Sequence, residues 1–144
     1  MNALNKIWSK VMTIGNRLHI KGATLSQALK MAWRIVKAGI TTKVKGVTFG
    51  NAQKALERLT MYRSDDIVIE LKRDPVNLYD PNAIEVHAGV RNKGIVKIGY
   101  LPAPLSFVIS WLLDKGIAVK ALYGEIRGKY EQYMNYGIEI QLYV

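Results

Sequence analysis

The hydrophobic period of this chain changes near residues 38–42, and that change limits the folds open to it. Before it, Leu4, Ile7, Val11, Ile14 and Leu18 recur at steps of three and four, the spacing of one face of an α-helix. "KGA" interrupts the pattern. Thr24, with Gln27 three residues on, then forms a capping box for a second helix. Its stripe is Leu25, Ala28, Leu29, Ala32, Trp33 and Val36, and Gly39 is a natural stop. After residue 42 the apolar runs are short and rich in β-branched residues. "TKVKGVTF", "DIVIELKR", "NAIEVHAGV", "IVKIGYL", "IAVKALYGEI" and "YGIEIQLYV" read as strands, with "RNKG" as the turn between the third and fourth. Two helices interrupt them. One is "NAQKALERLTMY", capped by Asn51. The other is "PLSFVISWLLDKG", opened by Pro102 and Pro104 and closed by Gly116. The expected fold is mainly β with helices (α+β). A small antiparallel β-barrel with two inserted helices fills residues 42–144, and a helical hairpin at residues 1–41 precedes it.

The charge is as unevenly placed as the period. The chain of 144 residues carries 21 Lys and Arg against 11 Asp and Glu, a formal net charge of +10. Its first acid is Glu57, and ten bases precede it. The remainder of the chain is neutral. On helical geometry Lys6, Lys10 and Arg17 share one arc of the first helix, and Lys30, Arg34 and Lys37 share one arc of the second. Both arcs avoid the apolar stripes, so the stripes can meet and leave cationic outer faces. A one-sided positive charge suits a polyanion, nucleic acid first and an anionic membrane second. It also suits a merely solvated surface.

Several chemistries lack their residues. There is no cysteine, so no disulfide, thiolate nucleophile or cysteine zinc site. His19 and His87 have no partner at metal-ligand spacing. Neither a phosphate-binding GxxxxGK[ST] loop nor a GxSxG elbow occurs. Asp65 and Asp66 adjoin each other before a strand, where solvated turn acids are common, and nothing else converges on them. The expectation is a binding protein, not an enzyme, with no cofactor and no metal. "MNALNKIWSK" does not read as a signal peptide, and "PLSFVISWLL" is too short to span a bilayer. A cytoplasmic protein without a membrane partner is expected.

The most specific pattern is in the middle of the chain. A glycine–hydrophobic–x–aromatic strand stands at Gly46–Phe49. "LKRDPVNLYDPNAIEV" fills Leu71–Val86, and "IGYL" fills Ile98–Leu101. Together these resemble the HIRAN domain, over roughly residues 42–144. That family occurs in some SNF2-type DNA-repair ATPases and as stand-alone bacterial and phage proteins. The resemblance implies an OB-like barrel that binds single-stranded DNA and captures free 3′-OH ends. It maps the aromatic platform to Phe49, the turn tyrosine and acid to Tyr79 and Asp80, and the fourth-strand position to Tyr100. One position departs: end-binding members can carry a base just before the first aromatic, and here it is Thr48. Lys45, Lys72, Arg73 and Lys97 are the candidate replacements. The hairpin cations Lys6, Lys10, Arg17, Lys30, Arg34 and Lys37 would add auxiliary phosphate contacts.

Read from the residues alone, the same positions have plainer uses. Asp80 can fix the turn by accepting the Asn82 amide. Tyr100 can cap the core. Trp111, Phe107 and Leu112 belong to the core of the last helix, and Trp8 and Trp33 to helix packing. The expected function is recognition of single-stranded DNA, with free 3′ ends selected, in DNA repair or replication or in phage or mobile-element DNA metabolism. The alternative is a protein-interaction adaptor whose hairpin docks on an acidic partner such as a host repair or defence nuclease.

Overall fold

The computed structural model describes residues 3–130 and 133–144. The side chain of Leu4, first in the expected apolar stripe, lies outside the described part. Helices α1 (Ala3–Ile20) and α2 (Leu25–Ala38) form the hairpin. Both halves of the capping box are made: the Gln27 amide donates to Thr24 Oγ1 and the Thr24 amide to Gln27 Oε1, each at 3.2 Å. Gly39 ends α2 at φ +77° and donates its N–H to the Ile35 carbonyl. Val11, Ile14, Ala28 and Ala32 are fully buried, so the two stripes meet. No described helix is long and apolar enough to cross a membrane.

Among the described residues six strands follow: β1 (Ile40–Lys43), β2 (Ile67–Arg73), β3 (Ile84–Val90), β4 (Gly94–Tyr100), β5 (Lys120–Tyr130) and β6 (Tyr133–Tyr143). They form two antiparallel sheets of three, ordered β1-β6-β5 and β2-β3-β4. The fold is α+β as expected, but the strands do not close into one barrel. The inserted helices are α3 (Ala52–Leu59) and α4 (Ala103–Asp114). One buried cluster joins the layers: Val11 and Ile14 of the hairpin, Leu56 of α3, Ile84 of β3, Ile109 of α4 and Ile140 of β6.

Three local expectations need correction. The first strand starts at Ile40 and stops at Lys43, instead of running from Thr42 to Phe49. Beyond it the chain keeps a single bridge, Lys45 to Tyr100, then turns. Gly46 and Gly50 hold φ of +77° and +60°, values that L side chains resist and a strand does not use. Asn51 stands before α3 without a side-chain cap bond, and α3 ends at Leu59, short of Tyr62. Gln53 does the anchoring instead. Its Nε2 donates to the carbonyls of Val47 and Tyr136, and its Oε1 accepts from the Tyr136 amide. Trp111 is more than a third exposed, not core.

Beside Trp111, α1 lies against α4. The Arg17 guanidinium sits 3.6 Å from the Phe107 ring centroid and 4.7 Å from that of Trp111. Its Nε donates to the Phe107 carbonyl at 2.9 Å. Arg17 therefore docks the hairpin on α4, and the outward direction expected for it on the cationic arc does not hold.

Candidate nucleic-acid interface

One face of the β2-β3-β4 sheet gathers the residues singled out in the sequence. Lys72 lies opposite Glu85, Glu85 opposite Tyr100, and Tyr100 bridges to Lys45. Directly opposed residues point to the same side, so these four form a row across the sheet. Farther along β4, Lys97 lies opposite His87 and Gly99 opposite Val86. Ile98 is left without a partner, which is a β-bulge. Strict alternation would place Lys97 and Tyr100 on opposite faces. The extra residue returns them to one face, with Ile98 buried between them. Gly99 makes the bridge possible, since a Cβ there would collide with the Lys45 carbonyl oxygen.

The face is electrostatically coupled. Lys97 Nζ donates to Tyr100 Oη at 2.7 Å and stands 3.6 Å from Glu85 Oε1. The hydrogen bond to Tyr100 is the main cause that raises the Lys97 ammonium above the usual lysine range. The charge of Glu85 adds to it, and burial opposes it. Glu85 Oε2 lies 3.0 Å from His87 Nε2. Tyr100 Oη in turn donates to Asp74 Oδ2 at 3.4 Å. Tyr100 thus caps no core; it is the hub of a polar network.

Beside this network is a groove of about 550 Å³ that Lys45, Gly46, Phe49, Lys97 and Tyr100 line. Phe49 is 77% exposed, presented by the two glycine turns on either side of it. Thr48 is exposed in the same turn.

The β2–β3 loop is tied to the groove through Asp74. The Asn77 side-chain amide donates to Asp74 Oδ2 at 3.1 Å. Asn77 Oδ1 accepts from the backbone amides of Tyr79 and Asp80, at 2.9 and 3.0 Å. Asp80 Oδ1 accepts from the Asn82 amide at 2.8 Å, the turn bond that the sequence allows. The other Asp80 oxygen accepts nothing among the described residues. Tyr79 projects from this loop 97% exposed. Arg73 holds the base of the loop, with a bidentate pair to Asp114 and bonds to the Pro81 and Ala83 carbonyls. Four of its five N–H donors are used inside the protein, whereas Lys72 is exposed.

The structure thus brings Lys45, Phe49, Lys97 and Tyr100 to one groove, with Lys72 on the same face. Tyr79 and Asp80 are linked to it by hydrogen bonds. It does not bring the hairpin cations there: Lys6, Lys30, Arg34 and Lys37 are exposed and Lys10 half-buried, but none lines the groove. Lys54, Arg58 and Lys93 escaped the sequence reading. They line a second groove, of about 600 Å³, between α3 and β4. Lys54 and Arg58 are four apart on a helix, which puts them on one face; their convergence with Lys93 needs the tertiary fold.

The family described as the HIRAN domain matches residues 40–144 of this chain. Among solved structures, the HIRAN domain of human HLTF is similar at 18% identity and a TM-score of 0.48, over 72% of this chain and 72% of that one. A protein from Lactobacillus plantarum is similar at 20% identity and a TM-score of 0.46, over 72% of this chain and 92% of that one. Among curated proteins, none matches this sequence.

Proposed function

This chain belongs to the HIRAN domain family, and on that premise we propose that it binds single-stranded DNA and selects strands with a free 3′-hydroxyl. The observation that carries the selection is the divided carboxylate of Asp80. One oxygen fixes the turn through the Asn82 amide, and the other has no partner among the described residues. An ionised carboxylate accepts hydrogen bonds and cannot donate them. A terminal 3′-hydroxyl is a donor. An internal nucleotide carries a phosphodiester there, and two anions repel. Asp80 admits ends and rejects continuous strands by that repulsion.

Phe49 and Tyr79 supply stacking faces, each worth about 1–3 kcal/mol per base without sequence preference. Lys45 and Lys97 beside Phe49 take phosphates, with Lys72 farther along the row. They offset the absence of a base at Thr48. Tyr100 and Asp74 hold Lys97 and the loop in register. Arg73 acts as a loop brace. The module works by binding and carries out no catalytic step. Its setting is DNA repair or replication, or the DNA metabolism of a phage or mobile element.

The decisive variant is Asp80→Asn, which can keep the turn bond and lose the charge. Wild type should prefer a 3′-OH oligonucleotide over the same strand ending in 3′-phosphate, measured by fluorescence anisotropy. The variant should lose most of that preference while still binding strands. The same preference in both proteins overturns the selection by Asp80.

A further inference from the structure

We infer that the groove between α3 and β4 carries the phosphodiester backbone of the strand on the 5′ side of the captured end, an inference that rests on the function proposed above. The groove has cationic rims and an apolar floor. Lys54 and Arg58 project from α3, Lys93 from the β3–β4 turn and Lys97 from β4. No acid is among the residues lining it. No carboxylate of the described residues pairs with Lys54, Arg58 or Lys93 in an ion pair. The floor includes Ile95 and Val96, which a folded chain would ordinarily cover; Val96 is 53% exposed.

The backbone makes the same point. β4 is an edge strand of its sheet, and along its outer side only Tyr100 is bridged, to Lys45. Over Gly94–Lys97 that edge has no strand partner among the described residues. Edge strands left open usually carry some protection against pairing with another chain. Here the protection is charge, from Lys97 on the strand, Lys93 in the turn before it and the α3 cations across from it. That arrangement repels cationic partners and admits an anionic ribbon with apolar faces, which describes single-stranded DNA.

The occupant follows from continuity. Asn51 and Lys97 line both grooves, so the second opens directly from the one that holds Phe49 and Tyr100. A strand whose last bases lie on Phe49 and Tyr79 must leave the end site somewhere. The α3–β4 groove is the cation-lined way out. α3 is eight residues long, about 12 Å of axis, which spans only a few nucleotides. Lys97 sits at the junction, where one charge serves both segments.

The test is a length series with 3′-OH ends, from a trinucleotide to about ten nucleotides. It is run on wild type and on the full chain with Lys54, Arg58 and Lys93 all changed to Ala. These side chains are exposed, and circular dichroism checks the fold. Wild type should bind the long strand about tenfold or more tighter than the trinucleotide. The triple variant should bind both lengths about equally, with trinucleotide affinity and 3′-OH preference retained. Its salt slope on the long strand should fall by about 2, from three contacts on a single strand.

An unchanged length dependence and salt slope in the variant overturns the inference and leaves end recognition standing. So does wild type that binds the trinucleotide as tightly as the long strand. Wild type that binds no strand at low salt overturns both. A second measurement uses no variant. A photoreactive base placed about five nucleotides from the 3′ end should crosslink to the Ile95–Val96 peptide of wild type. A crosslink confined to the hairpin sends the strand elsewhere and overturns the path.

Discussion

Three charged residues show how little the type of a side chain decides by itself. From sequence, Arg73 and Lys97 are candidate phosphate contacts of the site and Arg17 an auxiliary one. Arg17 lies on Phe107 and Trp111, and Arg73 is held by Asp114 and two carbonyls. A planar guanidinium with several directed donors is well suited to such internal bracing. Lys97 keeps its ammonium at the groove. We expect Arg17→Ala to cost about 2 kcal/mol in chemical denaturation, from a lost charged hydrogen bond and ring stacking. Its salt slope for strand binding should match wild type; a reduced slope would restore Arg17 as a phosphate contact. For Lys97, Tyr100→Phe removes the hydrogen bond that raises its pKa. Side-chain NMR should show the Lys97 titration moving down toward the ordinary lysine value, about 10.4. A lysine raised in the folded state stabilises fully below its unfolded pKa, and that contribution disappears as pH rises through the folded value. Lys97 therefore stays charged throughout the neutral range, and strand binding there should show no step from it.

At the scale of elements, the β4 bulge and the β2–β3 loop create the site. The bulge sets Lys97 and Tyr100 side by side, and Gly99 lets the Lys45 backbone close against the strand. Gly99→Ala should push that segment away. We expect a loss of about 1–3 kcal/mol in stability, the usual range for forced overpacking. Strand affinity should fall as well, because Lys45 and Phe49 move with the displaced turn. Normal affinity in a destabilised Gly99→Ala protein would separate the bridge from the site. The loop is organised by its own side chains, Asp74, Asn77 and Asp80, above the base that Arg73 of β2 holds. Such local bonds follow from Asx chemistry at short spacing, so the loop was legible in "RDPVNLYDPN". The bulge was not: β-branched runs mark a strand, but nothing in "IVKIGYL" marks an unpaired Ile98.

Across the whole molecule, charge and shape divide the work. The basic hairpin shares the core with the sheets and packs on α4 and β6. Its exposed cations Lys30, Arg34 and Lys37 lie away from both grooves. With the strand leaving through the α3–β4 groove, Gln at all three should leave both stability and the salt slope on long strands near wild type, which leaves this face to an acidic protein partner, the adaptor role that the sequence also permits. A slope lowered by about 2 would put the strand across the hairpin instead. Truncating the hairpin would be a poorer test, because it would uncover the core that Val11 and Ile14 fill.

The sequence by itself determined the helix pair with its caps, the strand-rich remainder and the turn that presents Tyr79 and Asp80. Each of these follows from residues close together in the chain, through periodicity, capping and Asx bonds. The family pattern marked Phe49 and Tyr100 as well, without showing what they face. Only the tertiary structure decided which cations are free, that two open sheets replace one closed barrel, and that Lys54, Arg58 and Lys93 share a groove. Those outcomes depend on which distant partner reaches a side chain first. Phe107 takes Arg17 across 90 positions and Asp114 takes Arg73 across 41, separations over which local pattern carries no information about contact.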